Sequence, residues 1–301
     1  MTSDVLYSDD TWVRPGSTGD PKKPLELDIY RSSATAAGAR LPLVMVIHSG
    51  AKNAFLEPCI YSKTLSLPRQ ARDKRTKIEE KGVSCTGGFM QGSKTEATIA
   101  SEATFLAQHG FVVASINYRL TAAKGLPDVG SVRNAVIDAQ NSIAFMLEQP
   151  GVDASRVAIF GTSAGAIIGG TIGQVPRSLS SRGGVSDRFV NISAAVGVSG
   201  CLWPFLIDGE APLPAPWLDI HGTQDSRVFP FLAELTHNYL NALGVPEERN
   251  LFATVPGGGH VDVRMEGQVD TWGAAVKAVM RPEYVSFFVH HMRLSGATCG
   301  D

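Results

Sequence analysis

The 301-residue sequence has few cysteines, little net charge and no long apolar run. Four cysteines are too few and too scattered for a disulfide framework, and their spacing matches no zinc site, although Cys59 and Cys85 form a pair worth testing. A formal net charge of −2 offers no basic field for a phosphate backbone, so we expect no nucleic-acid partner. No stretch looks able to span a bilayer, and the first residues lack the pattern of a secretory signal. We therefore expect a soluble, cytoplasmic protein that binds a neutral or apolar small molecule.

The composition is that of one globular domain. Hydrophobic residues make up 44% of the chain and charged residues 19%, and its 31 glycines and 17 prolines follow no period. These proportions exclude collagen-like and disordered chains. Because a chain of this length can bury one extended core, we predict a single domain over residues 1–301.

Short apolar runs rich in β-branched residues alternate with amphipathic stretches of helical length. This alternation is typical of an α/β fold with a mostly parallel central sheet and helices on both faces. The predicted central strands end at His48, Asn117, Gly161, Val198, Gly222 and Val255. The alternating run of residues 25–31 predicts an outer antiparallel strand.

Four helices are predicted between or after these strands. In the clearest one, apolar residues recur at three- and four-residue steps from Val132 to Leu147, so one stripe can face the sheet. Weaker patterns predict helices over residues 96–109, 231–243 and 272–292. Pro282 predicts a break within the last of these.

The strongest chemical signal is the G-T-S-A-G run at residues 161–165. It stands directly after a predicted strand and directly before a run of small residues with helical character. A serine on such a tight turn is exposed at the start of a helix, and the flanking glycines allow the two elements to cross closely. This context predicts that Ser163 is a nucleophile.

A serine hydroxyl reacts at neutral pH only if a base removes its proton, and histidine has a suitable pKa. His260 lies in a glycine-rich turn just after the last predicted strand, where a side chain can reach over the carboxyl edge of the sheet. The base needs an acid on a strand-end loop between the serine and the histidine in chain order. Asp225 meets both conditions, and Asp208 is the alternative.

Acyl transfer also requires donors for the developing oxyanion. We expect one donor to be the backbone N–H of Ala164 and the rest to come from the loop after the first central strand, where His48-Ser49-Gly50 stands. Trp203 and Phe205 lie in an apolar run after a predicted strand end. They either line an acyl pocket or belong to the ordinary core.

Together these motifs resemble the esterase and lipase branch of the α/β-hydrolase superfamily. The resemblance runs from about Leu27 to the C-terminus and rests on the ordered motifs L-D-I-Y-R, H-S-G, N-Y-R-L, G-T-S-A-G, H-G-T-Q-D and G-G-G-H. It implies an α/β-hydrolase fold and a serine hydrolase, without cofactor or metal ion, that cleaves a small, largely apolar carboxylic ester. The resemblance also implies Ser163 as nucleophile, Asp225 as acid and His260 as base. It further implies Ser49, Gly50 and Ala164 as oxyanion donors.

The sequence departs from this family at the oxyanion loop. Related esterases carry an uninterrupted H-G-G-G-[FW] followed shortly by G-[SD], whereas here residues 48–50 and 87–93 are separated by a polar, basic segment at residues 51–86. Joining Gly50 to Gly88 would restore the family pattern. The segment either folds out as a lid or clamp, disturbs the oxyanion hole, or is translated intron sequence.

Other functions use the same fold and motifs. A peptidase or a lactonase acting on a small natural product would need the same three residues. The split oxyanion loop also leaves open a non-hydrolytic biosynthetic catalyst or a binding protein, although a complete triad argues against a binder.

Overall fold

The computed structural model describes residues 1–12, 23–33, 38–49, 58–59, 84–85, 89, 92–120, 129–174, 191–202, 214–261 and 273–293. The strands within these ranges are β1 (Thr2–Trp12), β2 (Lys23–Tyr30), β3 (Leu41–Ile47), β4 (Pro58–Cys59), β5 (Ser84–Cys85), β6 (Val112–Ile116), β7 (Val152–Thr162), β8 (Ile192–Val198), β9 (Trp217–Gly222) and β10 (Asn250–Val255). The α-helices are α1 (Ala97–Gln108), α2 (Val129–Leu147), α3 (Ala164–Gln174), α4 (Pro230–Ala242) and α5 (Gly273–His291).

Eight strands form one mostly parallel sheet in the order β1-β2-β6-β3-β7-β8-β9-β10. Only the β1–β2 and β2–β6 pairings in it are antiparallel. At the centre, Val44 of β3 lies opposite Val113 of β6 and Ala158 of β7. Strands covered on both faces read as continuous apolar runs, which is why the sequence marks them clearly. The predicted α/β architecture is confirmed.

Helices pack on both faces of this sheet. Successive residues of β3 alternate between two apolar clusters, because neighbouring side chains of a strand point to opposite faces. Met45 joins the cluster that contains residues of α2 and α3, whereas Val44 joins the cluster that contains Leu106 of α1 and Phe288 of α5. The parallel strands therefore present their carboxyl ends at one edge of a core covered on both sides.

Two local predictions are wrong. The strand at residues 25–31 is not the outer one, because β1 pairs along it. Register shifts interrupt that pairing at three places, which removes the regular alternation that would have marked β1 as a strand. Helix α5 also continues through Pro282, which is exposed. Tyr284 and Phe288 bury the opposite side of this helix, and that packing overrides the local preference of proline.

Within the atypical segment 51–86, the structure describes β4 and β5, which pair antiparallel. Their register sets Cys59 opposite Ser84 and Cys85 opposite Pro58, so neither cysteine lies directly opposite the other. The role of the segment and the single-domain organisation stay predictions. Among the described helices, none is long and apolar enough to cross a membrane, and the cytoplasmic location likewise stays a prediction from the sequence.

Candidate active site

Ser163 lies on a tight turn between β7 and α3, with a backbone φ of +52°. A left-handed conformation is uncommon for a residue other than glycine and persists only where the surroundings enforce it. Here the Ser163 N–H donates to the carbonyl oxygen of Val198 at 2.8 Å, which ties the turn to the end of β8. A Cβ atom on Gly165 would lie 2.2 Å from the carbonyl oxygen of Ile47. Only glycine permits α3 to begin this close to β3.

The structure brings Ser163, His260 and Asp225 into one line of hydrogen bonds at the carboxyl edge of the sheet. The Nε2 atom of His260 lies 2.9 Å from the Ser163 Oγ atom, and its Nδ1 atom lies 2.9 Å from Asp225 Oδ2. An ionised carboxylate only accepts hydrogen bonds, so Nδ1 carries the hydrogen and Nε2 is left to accept the serine proton. All three side chains are buried. This is the arrangement that activates a serine hydroxyl.

Asp225 is held by its own loop as well as by His260. Its Oδ1 atom accepts the backbone N–H groups of Arg227 and Val228 at 2.9 and 3.0 Å. Burial opposes ionisation of this carboxyl group, but contacts with His221 and His260 prevail and hold its pKa well below the usual value. Asp225 is therefore an anion in a fixed orientation.

Sequence reasoning missed two further members of this cluster, Asp219 and His221 of β9. The His221 Nε2 atom lies 3.3 Å from Asp225 Oδ2 and 2.7 Å from the carbonyl oxygen of Val228. Its Nδ1 atom lies 3.4 Å from Asp219 Oδ1. Burial opposes a charge on His221, yet the two carboxylates raise its pKa to about 10. The available signal was the pair of polar residues at alternate positions in an otherwise apolar strand.

Two of the predicted oxyanion donors, Ala164 and Ser49, lie within the described residues. Ala164 is the first residue of α3, where backbone N–H groups have no partner inside the helix, and it is buried. Ser49 follows β3 and is also buried. Gly50, Trp203, Phe205 and the alternative acid Asp208 lie outside the described residues.

The two parts of the predicted oxyanion loop approach each other where Gly92 lies against Ser49. A Cβ atom on Gly92, whose φ is +118°, would lie 2.2 Å from the Ser49 carbonyl oxygen, so the returning chain passes directly over Ser49. His48 stabilises this contact by stacking on Tyr118, with ring centroids 4.3 Å apart, and by donating from Nδ1 to the Ser49 carbonyl oxygen at 2.6 Å. Burial lowers the pKa of His48 to about 4, so its ring is neutral. His48 therefore stabilises the conformation of the loop as an uncharged side chain.

Comparison with known proteins places this geometry in context. Residues 83–200 match the family model BD-FAE. Esterase 2 of the planctomycete Thermogutta terrifontis, in its propionate-bound form, has a similar structure, with a TM-score of 0.60, 16% identity, and coverage of 93% of this chain and 92% of that one. The form of that enzyme phosphorylated by paraoxon gives a TM-score of 0.61 at 16% identity, covering 99% of this chain and 96% of that one. The form phosphoramylated by tabun gives a TM-score of 0.62 at 17% identity, covering 100% of this chain and 97% of that one. No curated protein matches the chain. At these identities the likeness establishes the fold.

Proposed function

The chain has the α/β-hydrolase fold, and from this premise we propose that it is a serine hydrolase that cleaves a small, largely apolar carboxylic ester through Ser163, His260 and Asp225. The observation that carries the proposal is the unbroken line of hydrogen bonds from the Ser163 hydroxyl to the Asp225 carboxylate. The structurally similar Thermogutta esterase is phosphorylated by paraoxon, a reagent that reports a reactive nucleophile in that enzyme. We propose that Ser163 is the corresponding reactive nucleophile in this protein, because its hydroxyl faces His260.

The first half of the reaction forms an acyl-enzyme. As the Ser163 Oγ atom attacks the ester carbonyl carbon, its proton passes to Nε2 of His260, and the carbonyl oxygen takes up the negative charge. The resulting imidazolium then gives that proton to the departing alkoxide, which leaves as the alcohol. In the second half, water attacks the acyl group with His260 again as base, releasing the acid and restoring the serine.

The oxyanion requires donors other than the N–H of Ser163, because that group is already bonded to the Val198 carbonyl oxygen. The backbone N–H of Ala164 lies next in the chain, at the positive end of α3. The backbone groups of Ser49 and Gly50 complete the proposed hole. Preorganised donors of this kind commonly contribute about 3–4 kcal/mol each to the transition state.

A fluorophosphonate probe tests the proposal directly. The wild-type protein is expected to be labelled at Ser163, identified by mass spectrometry of the tryptic peptide, and to hydrolyse p-nitrophenyl acetate or butyrate. The Ser163→Ala variant should keep its melting temperature and lose both labelling and turnover, because only the attacking oxygen is removed. Small peptides and lactones in the same substrate panel would separate an esterase from the related activities.

Ser199 provides a matched control for this experiment. It is a buried serine that also follows a strand of the sheet and also has a positive φ, of +53°. The Ser199→Ala variant should retain labelling and turnover. An unlabelled, inactive wild-type protein would overturn the proposed function, and so would labelling that survives in Ser163→Ala at an unchanged rate.

A further inference from the structure

The line of charged and polar groups does not end at Asp225. It continues through His221 to Asp219, and both residues project from β9 into the interior. Their exposed fractions are 0% for His221 and 1% for Asp219, against 2% for Asp225. Two buried carboxylates therefore flank one buried imidazole, and one of those carboxylates is the acid of the proposed triad.

The hydrogen-bond geometry fixes one proton on His221. Its Nε2 atom lies 2.7 Å from the Val228 carbonyl oxygen, which can only accept, so Nε2 carries a hydrogen. Its Nδ1 atom faces a carboxylate oxygen of Asp219. One further proton therefore lies between these two groups, either on Nδ1, giving a cation beside an anion, or on Asp219, giving two neutral groups.

We propose that His221 is a positioning residue, held as a cation by Asp219, that keeps the Asp225 carboxylate ionised and oriented toward His260. The assignment rests on the proposed function, because Asp225 matters only as the partner of a catalytic base. The three neighbouring side chains then alternate in charge: Asp219 is negative, His221 is positive and Asp225 is negative. Each buried charge then has a neighbour of opposite sign, which is the condition under which ions are tolerated in a protein interior.

The surroundings support the cation. The groups that act on His221 are Asp219 from its own strand and Asp225 from the loop that follows, while His237 of α4 acts on Asp219. Their combined effect raises the pKa of His221 to about 10 against the cost of burial. Burial raises the pKa of Asp219 and Asp225 adds to that rise, while His221 and His237 offset it only in part. The pKa values of both partners are thus raised, and geometry has to decide which of them holds the proton. We assign the shared proton to His221, since carboxylates face it on two sides.

A cation beyond Asp225 affects the base in a direction that can be measured. The His221 and His260 rings contact the same oxygen of Asp225, so their nearest nitrogens lie no more than about 6 Å apart. A positive charge at this distance repels positive charge on the base, and the more distant negative charge of Asp219 offsets only part of that repulsion. Removing both charges should therefore shift the acidic limb of the activity profile to higher pH.

The Asp219→Asn variant keeps the shape of the site and removes the carboxylate that, in this proposal, holds His221 as a cation. We expect His221 to be neutral in the variant, with the new amide donating to Nδ1 and Nε2–H remaining on the Val228 carbonyl oxygen, and a ¹⁵N-histidine spectrum of the variant checks this. We expect the acidic limb of the kcat/KM profile for p-nitrophenyl butyrate to move upward by about 0.5–1 pH unit, from the charge separation above at an effective dielectric near 20. KM at high pH should stay within about twofold, because the substrate contacts are unchanged. The His221→Gln variant should move the limb in the same direction.

Asp28→Asn is the matched control, since it also neutralises a buried, paired carboxylate but lies on β2 beside Lys94. It should lower stability and leave the pH profile in place. An unchanged limb in both Asp219→Asn and His221→Gln would overturn the proposal, even if both variants lost stability, because a merely structural role would not act on the base.

A second measurement does not depend on activity or on the folding of any variant. In the wild-type protein labelled with ¹⁵N at histidine, the proposal predicts that both ring nitrogens of His221 are protonated at pH 8. A non-protonated Nδ1 would place the proton on Asp219 and overturn the proposal. If the wild-type protein hydrolysed no ester, the proposed function would fail, while this spectrum would still decide the charge of His221.

Discussion

Gly165 and Gly173 lie in the same helix, α3, and offer a matched test of how closely the nucleophile turn is packed. A Cβ atom on Gly165 would lie 2.2 Å from the carbonyl oxygen of Ile47 and 2.7 Å from that of His48. Both are backbone atoms, so no side-chain rotation can relieve the overlap. A Cβ atom on Gly173 would lie 3.3 Å from the Ala195 side chain, a tight contact with a methyl group that a small shift relieves.

The two alanine substitutions share one contribution and differ in the other. Each gains about 1 kcal/mol of helix propensity relative to glycine. Overpacking commonly costs about 1–3 kcal/mol, and at Gly165 we take the upper part of that range, about 2–3 kcal/mol, because the overlapping atoms belong to the backbone. We therefore expect Gly165→Ala to be destabilised by about 1–2 kcal/mol, which corresponds to a melting temperature lower by about 2–8 °C in a chain of this size. Gly173→Ala should be neutral or slightly stabilised.

Activity should separate the two variants more widely than stability does. To restore an ordinary contact, the start of α3 must move about 1 Å away from β3, and Ser163 moves with it; a misplacement of that size can lower turnover about a hundredfold. The assay is initial-rate hydrolysis of p-nitrophenyl acetate, together with thermal unfolding followed by circular dichroism. If Gly165→Ala retained the turnover and the melting temperature of Gly173→Ala, the close approach of α3 to β3 would not be what positions the nucleophile.

Three further predictions follow from the same structure. Asp225→Asn should lower kcat on the order of a thousandfold or more by allowing the wrong tautomer of His260, while Asp208→Asn should do little; steady-state kinetics that reversed the two would identify Asp208 as the acid. Lys94→Met should cost about 3–5 kcal/mol in urea unfolding, because it leaves the buried Asp28 carboxylate without its cation at 2.6 Å, and a loss below about 1 kcal/mol would show that Asp28 finds another partner. Deleting residues 51–87 should leave a folded protein that hydrolyses short-chain esters at least as well as the full chain, because long surface insertions cost little closure entropy and the oxyanion loop becomes continuous. A deletion that failed to fold would show that the segment is integral, and one that folded but was inert would show that it completes the site.

Much of the sheet could be predicted because its central strands are buried on both faces. The run that ends at His48 is apolar at nearly every position, and burial on both sides requires this of β3. The order of β7, Ser163 and α3 was likewise readable, since a serine between two glycines at a strand-to-helix junction has few structural solutions. The carboxyl edge of the sheet then limited where Asp225 and His260 could lie.

Two features were not predicted, for different physical reasons. β1 is irregular along its length and is joined to the sheet partly by Lys94, whose ammonium group reaches both Asp4 and Asp28. No local sequence pattern predicts ion pairs between residues so far apart in the chain. His221 was overlooked for a different reason: its partners Asp219 and Asp225 are near in sequence, but it stands inside a strand, where we expected only core residues. A position at the end of a strand predicts which residues can contact the substrate. It does not predict the residues within the strands that support them.

The order of strands in the sheet also bears on how the protein folds. From β7 to β10 each strand pairs with the next one along the chain, whereas β2 pairs with β6 across a much longer loop. Pairings that close shorter loops cost less chain entropy and form sooner. Ser163 directly follows β7, Asp225 lies in the loop after β9, and His260 lies in the turn after β10. During refolding we therefore expect the pairing of β7 to β10, which brings these three residues together, to precede the docking of β2 onto β6, so that hydrogen-exchange protection of β8 and β9 returns ahead of that of β2.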